Sequence, residues 1–358
     1  MIQEIRIKNY LSFRDEVVLS FEATKDTTFE ECQVVNVTPK VRLLRFALIY
    51  GANASGKSNL LNALDFLRGF WFDKKSDIDE ETGVVPFLLD TETPNEPSEF
   101  NIKFFVGDRR YWYALVMDDK QVIKEDLYVY NSVQPSLVFS RELDGTASLI
   151  KLNASLVKAN ATIVELLNVK CLSNMSFFAA RNQVNCSLAY IDEVRDWMKN
   201  NMMPIIKPDT RMFEYAGKQM EKNAELKAYI LDFVHKADYN ITDVYTEREK
   251  VPIPDFVKAS IIEDKDIPEK AKEKVLADNS LERLRTDFQH TVKNKRGEES
   301  YRLPNSLQSE GTKRTFGIEA AIYEAIKTNG ILPIDEIESS LHPELVEFII
   351  EKFLKEKS

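Results

Sequence analysis

The chain has 358 residues, which at ~150 residues per domain allows two or three folding units and a core well beyond the reach of a small scaffold. Hydrophobic residues make up 44% and charged residues 30%, with only 11 Gly and 13 Pro. That excludes disorder over most of the length and also a collagen-like, low-complexity or turn-dense all-β architecture. Acidic residues outnumber basic ones by 58 to 48, a formal charge of −10, so the molecule as a whole does not attract phosphate backbones and any nucleic-acid contact must be local.

Three cysteines, Cys32, Cys171 and Cys186, are far apart and lack metal-ligand spacing, which suits inert thiols in a reducing cytoplasm rather than a disulfide framework. Residues 1–7 alternate polar and apolar instead of showing the basic region and apolar run of a signal peptide. No stretch of about 18 residues stays apolar. A cytoplasmic location without a membrane span is therefore expected.

In chain order, Ile5 and Ile7, then Val17, Leu19 and Phe21, keep period two around Asn9-Tyr10-Leu11-Ser12-Phe13, which predicts two strands joined by a bend. Residues 43–50 form a nearly continuous apolar run, the pattern of a buried parallel strand, and it stops at Gly51. Leu60, Leu64, Leu67 and Trp71 recur at helical spacing and predict an amphipathic helix from Ser58 to about Phe72. Over 99–150 the period returns to two, with Phe100, Ile102 and Phe104, then Tyr111, Tyr113 and Leu115, then 122–130, and turns at Gly107-Asp108 and Asp118-Asp119. That is an antiparallel meander, and its spacing assigns Tyr111, Trp112 and Tyr113 to core packing rather than base stacking.

Residues 155–245 read as helices, for instance Ile191, Val194, Trp197 and Met198. The segment 247–282, rich in Glu, Lys and Asp with three prolines, reads as a solvated connector or mobile lobe. After it come a strand pair around Phe288 to Tyr301, a polar loop, a helix near 315–327 and a second buried strand ending in Asp335-Glu336. The expected organisation is an N-terminal part of one α/β head over 1–150, a helical insert with its connector over 151–282, and the C-terminal part of the head over 283–358.

Gly51-Ala52-Asn53-Ala54-Ser55-Gly56-Lys57-Ser58 fits G-x-x-x-x-G-K-[ST] and lies between a strand pattern and a helix pattern, the context in which loop N–H groups and a helix dipole hold polyphosphate oxygens. In that arrangement Lys57 reaches the β- and γ-phosphates, Ser58 ligates Mg²⁺ and Asn59 follows them as a nucleotide-binding residue. A phosphate loop alone leaves kinase, GTPase and ATPase open. Asp335-Glu336 at the end of an apolar strand favours an ATPase, with Asp335 placed to bind hydrated Mg²⁺ and Glu336 to polarise the attacking water. Ser309-Glu310-Gly311-Thr312 reads either as a plain helix N-cap or as a second anion-binding turn. The basic clusters Lys293-Asn294-Lys295-Arg296 and Lys313-Arg314 fit solvated loops better than a nucleic-acid track.

The order of the Asn9–Phe13 bend, the phosphate loop, Ser309-Glu310-Gly311-Thr312 and Asp335-Glu336-Ile337-Glu338-Ser339-Ser340-Leu341-His342-Pro343 resembles ABC-type ATPase heads. Within these it resembles the AAA-named ATP-binding proteins of bacterial phage-defence and abortive-infection systems, relatives of chromosome-maintenance heads and of the overcoming-lysogenisation-defect nucleases. Pro97-Ser98-Glu99-Phe100 and Ala237-Asp238-Tyr239-Asn240-Ile241 belong to the same resemblance.

The resemblance implies a P-loop NTPase of ABC-head type carrying the meander and the helical insert. It implies a homodimer with ATP and Mg²⁺ sandwiched between one subunit's residues 51–58 and the other's 309–312. Ser309, the Gly311 N–H and Thr312 then meet the γ-phosphate in trans, and His342 lies in a loop crossing the interface, where the bland alternative is a surface histidine. A separately encoded effector, a nuclease or toxin, is the implied partner. Two features depart from the family pattern: Pro333 removes an N–H from the strand before Asp335, and the further strand with a switch histidine lies outside these residues, so weak hydrolysis is expected.

Overall fold

The computed structural model describes residues 1–237, 240–264 and 269–355; Asp238 and Tyr239 of the resemblance lie outside them. In chain order the elements are β1 (Ile2–Lys8), β2 (Val17–Ser20), α1 (Glu30–Gln33), β3 (Val34–Thr38), β4 (Val41–Leu44), α2 (Lys57–Phe70), β5 (Ser98–Val106), β6 (Arg109–Met117), β7 (Val122–Tyr130), β8 (Ser136–Asp144) and β9 (Ala147–Leu152). There follow α3 (Ala161–Lys170), α4 (Phe177–Arg181), α5 (Ile191–Asn201), α6 (Met212–Lys222), α7 (Ala224–Lys236), β10 (Ile241–Pro252), α8 (Asp255–Glu263), α9 (Glu269–Asp278), β11 (Ser280–Asn294), β12 (Gly297–Pro304), α10 (Glu310–Thr328) and α11 (Pro343–Lys355). The chain divides into two units, one built chiefly from Met1–Lys207 and Ala325–Asp335, the other from Pro208–Glu324 and Glu336–Phe353.

In the first unit, period-two alternation builds a seven-stranded sheet in the order β2-β1-β5-β6-β7-β8-β9, with every pairing antiparallel. Its inner row, including Ile5, Ile7, Phe100, Ile102, Tyr111, Tyr113 and Leu115, is buried. Against that row pack α2 and the residue that ends it: Phe66 lies 5.4 Å from the Phe100 ring and Trp71 5.8 Å from Tyr113. Each such side chain removed from water contributes roughly 1.5–3 kcal/mol. Trp112 points to the opposite face, stacked on its cross-strand partner Tyr128 at 4.6 Å. Two lysines of that face sit beside carboxylates, Lys8 at 3.1 Å from Glu99 and Lys103 at 3.0 Å from Glu4.

The sheet also holds a buried ion pair. Glu125 and Arg141, register partners on β7 and β8, are both fully buried, 3.3 Å apart. Arg141 donates to the carbonyls of Leu172, Ser173 and Met175, and Glu125 accepts from the Phe177 N–H at 2.7 Å and the Tyr113 hydroxyl at 3.0 Å. Burial pushes the Glu125 carboxyl up, and the Arg141 charge opposes that shift. The pair therefore fastens the start of α4 to the sheet through hydrogen bonds that stand in for water.

The expected buried strand over 43–50 is not what forms. Only Val41–Leu44 is a strand, paired antiparallel with β3, while residues 46–50 lie outside any ladder with Leu48 58% and Tyr50 86% exposed. An apolar run announces burial but does not name a strand to pair with. The acidic strand is sparse for a local reason. Residues 331–335 meet 202–206 in parallel only at Met202↔Ile331 and Ile206↔Ile334. Pro204 and Pro333, between these two points, have no N–H to supply the missing rung.

The second unit contains the sheet β10-β11-β12, whose long antiparallel pair runs from Ile241↔His290 to Pro252↔Ser280. The two ends of the segment read as a connector are thus strand, and α8 and α9 lie between them in the chain. Phe213, Phe288 and Phe316 form its aromatic centre, with ring centroids 4.9 to 6.4 Å apart. Glu319 of α10 and Lys352 of α11 pair at 3.1 Å with little exposure, and the Lys352 ammonium lies 3.5 Å from the Tyr229 ring centroid.

Candidate functional site

The phosphate loop opens α2 without a capping side chain or an acidic residue in the first turn, which leaves its first N–H groups and the positive end of the helix facing outward. Ala54 (φ +61°) and Gly56 (φ +91°) are left-handed, a backbone that curls successive N–H groups toward one side. Gly56 must be glycine: a Cβ there would lie 2.7 Å from the Phe13 ring and 2.9 Å from Ser12 Oγ. Lys57 Nζ donates to the carbonyls of Gly51 and Ala52, each at 2.9 Å. Residues 51–55 are exposed; Gly56, Lys57, Ser58 and Asn59 are partly buried.

The N-terminal bend is what presses on this loop. Asn59 donates to Ser12 Oγ at 2.8 Å, and the Tyr10 hydroxyl donates to the Asn62 carbonyl at 3.3 Å. Asn9 fixes the bend from below. It is fully buried and left-handed (φ +51°), donates to the carbonyls of Thr93 and Glu96 at 2.8 and 2.7 Å, and accepts from the Phe87 N–H at 2.9 Å. Sequence spacing marks the bend but not this latch, because its partners lie in an irregular segment some 80 residues away.

Asp335, like the phosphate loop, falls in the first unit; its N–H donates to the Ile206 carbonyl at 2.8 Å. Glu336, Ser309, Gly311, Thr312 and His342 fall in the second. Ser309 caps α10, with Thr312 N donating to its Oγ at 3.0 Å and the two hydroxyls 2.8 Å apart. The turn after the acids lies against this cap, since a Cβ on Gly311 would come 2.6 Å from the Ser340 carbonyl oxygen. Glu336 is exposed and left-handed (φ +46°). His342 is 73% exposed, and its Nδ1 accepts from the Glu344 N–H at 3.4 Å.

Arg314 and His290 are the residues whose roles spacing alone does not show. The Arg314 guanidinium donates to the carbonyls of Pro208 (3.1 Å) and Glu336 (2.9 Å), and Lys313 pairs with Glu310, so this basic pair is engaged locally. His290 Nε2 lies 2.8 Å from the Gln308 amide nitrogen, bracing the residue before Ser309. Lys293 lies 3.8 Å from Glu298 across an exposed hairpin turn. A cleft of ≈ 630 Å³ in the first unit, along α2, is lined by Asp65, Arg68, Met198 and Lys199 and includes no phosphate-loop residue. In the second unit a cleft of ≈ 440 Å³ runs beside the α10 turn, lined by Thr210, Asn305, Glu310, Arg314 and Ser340. Among the described residues no group of three or more His, Cys, Asp or Glu side chains is arranged to hold a metal, and no helix is long and apolar enough to cross a membrane.

No curated protein matches the chain. Among solved structures it is similar to the head described as "SMC head domain from Thermotoga maritima" (12% identity, 99% of this chain, 84% of that chain, TM-score 0.40). It is also similar to the SMC head bound to the C-terminal winged-helix domain of ScpA (13%, 99%, 85%, 0.39) and to the recombination mediator RecF with ATP (16%, 99%, 90%, 0.31). A family model described as "AAA domain, putative AbiEii toxin, Type IV TA system" matches residues 46–151 and 193–358. Those segments contain the phosphate loop, the α10 cap and the acidic pair, and with so much of its length matched the chain belongs to this family of α/β ATPase domains.

Proposed function

We propose that the chain is an ATP-hydrolysing head that closes on a second copy around ATP and uses that closure to switch a separately encoded effector, a nuclease or toxin, in bacterial defence against phage. The observation that carries the reading is the phosphate nest: an uncapped helix start, left-handed Ala54 and Gly56, and a lysine on the loop itself. The family's abortive-infection description supports the defence role.

Residues of the nest fit a polyphosphate, because an uncapped helix start free of acidic side chains and left-handed Ala54 and Gly56 offer backbone N–H donors to anionic oxygens. Ser58 and Asp335 would hold Mg²⁺, both being hard oxygen donors of the kind that ion takes from protein in ones and twos. When bound, the ion neutralises charge on the β- and γ-phosphates. Lys57 Nζ would leave the Gly51 and Ala52 carbonyls for phosphate oxygens. Glu336 would accept the proton of the attacking water, and Ser309, the Gly311 N–H and Thr312 would come from the second copy, with His342 beside that interface.

The test is light-scattering mass with and without Mg-ATP, run beside phosphate release, on the chain and on Lys57→Ala and Glu336→Gln. Mass should double with ATP, Lys57→Ala should abolish doubling, and Glu336→Gln should strengthen it while stopping release. Mass and phosphate indifferent to ATP in every variant would sink the reading.

A further inference from the structure

We propose that Arg314 is a positioning residue for Glu336: its guanidinium holds the backbone of that glutamate in a left-handed turn and ties it to the helix turn that carries residues 309–312. The proposal rests on the reading of Glu336 as the hydrolytic carboxylate.

Glutamate is not a left-handed residue by preference. At φ +46° it occupies a conformation that persists only where its surroundings impose it. Here the Glu336 carbonyl accepts from two sides, from the Ser339 N–H at 2.8 Å within its own turn and from Arg314 Nη2 at 2.9 Å. Arg314 sits one turn into α10 and uses Nη1 for the Pro208 carbonyl at 3.1 Å. A planar guanidinium can bridge two carbonyls at once with fixed geometry, whereas an ammonium on a flexible stem is a single point charge. The group is half-buried; desolvation pushes its pKa down, and the Glu336 and Glu338 carboxylates oppose that shift.

A second contact makes the tie two-ended. Ser340, also left-handed (φ +63°), places its carbonyl oxygen where a Gly311 side chain would have to be. The turn 336–340 is therefore held at its first residue by Arg314 and at its last by Gly311, both on the opening turn of α10. Displacing residues 309–312 displaces the backbone of Glu336. Arg314 itself reaches its partners through carbonyls alone in these two bonds, so it acts through Glu336.

The experiment compares wild type, Arg314→Ala, Arg314→Lys and Glu336→Gln in steady-state ATP hydrolysis and in amide hydrogen exchange without nucleotide. In both Arg314 variants kcat should fall roughly 10–100-fold with KM for ATP within about threefold of wild type, and exchange over 336–341 should quicken about tenfold. Added guanidinium should restore turnover to Arg314→Ala and leave Glu336→Gln inactive. Should Arg314→Ala fail to fold, Arg314→Lys, which keeps the stem and the charge, carries the same comparison. Turnover and exchange at wild-type levels in Arg314→Lys would overturn the proposal while leaving the role of Glu336 intact. Wild-type chain without turnover, or Glu336→Gln as active as wild type, would overturn the reading of Glu336 and the proposal with it.

Discussion

Gly317→Ala and Gly69→Ala are the same substitution in two helices, and their effects should have opposite signs. A Cβ on Gly317 of α10 would lie 2.3 Å from Met212 Cβ and 3.2 Å from the Met212 Cα and carbonyl carbon. Carbon atoms settle at about 3.5–4.0 Å, so the two segments must part by roughly 1 Å, and no rotamer relieves the clash because the atoms are backbone and Cβ. Such overpacking costs about 1–3 kcal/mol. Alanine's advantage over glycine in a helix returns at most about 1 kcal/mol, so the clash wins. Gly69 of α2 is exposed and a Cβ there meets nothing within 4 Å, so only the propensity gain of about 0.5–1 kcal/mol remains. Urea unfolding reads both. The three tryptophans, Trp71, Trp112 and Trp197, all belong to the first unit, so fluorescence follows Gly69→Ala and far-UV circular dichroism follows Gly317→Ala. At an m-value of about 1–3 kcal/mol/M the midpoints should move a few tenths of a molar or more in opposite directions. Gly317→Ala at or above wild-type stability would show that α10 and the start of α6 do not approach as described.

Arg141→Met leaves the Glu125 carboxyl buried without its cation and should lower stability by about 3–5 kcal/mol, while adding Glu125→Gln should recover part of the loss; a thermal-melt change below about 1 kcal/mol for Arg141→Met alone would contradict the network. Ser309→Ala should lose an N-cap worth about 1 kcal/mol together with ATP-linked doubling of mass. Ser309→Asp separates the two roles, since aspartate caps as well as serine but sets a carboxylate against phosphate. It should keep the melting temperature and lose the association, and association at wild-type ATP concentrations would argue that the turn is only a cap.

Legibility followed range. The meander was readable because each strand's alternation is local and its neighbours follow within a hairpin, as Ile102↔Tyr113 and Tyr113↔Leu127 show. The phosphate loop and α2 were readable for the same reason, one short stretch holding glycine, lysine and the helix period together. What escaped depends on partners distant in sequence. Nothing in 43–50 says that the apolar run beyond Leu44 will lie outside a ladder, and nothing in Lys313-Arg314 says that the arginine will meet two carbonyls, one of them 106 residues away. The charged segment 247–282 was misleading in another way: strand pairing of its flanks with β11 overrides a composition that favours solvent. Asn9 offers one usable signal, since a buried asparagine beside a bend must satisfy its amide somewhere.

Lys57 carries a further consequence. Its ammonium is already bonded twice, to the carbonyls that open its own loop, so an anion arriving there takes part in an exchange of acceptors rather than a simple addition. The net attraction is the difference between two sets of bonds, so a ligand must offer enough oxygen acceptors to replace both carbonyls. On the proposed reading a triphosphate should therefore compete for Lys57 better than a single phosphate.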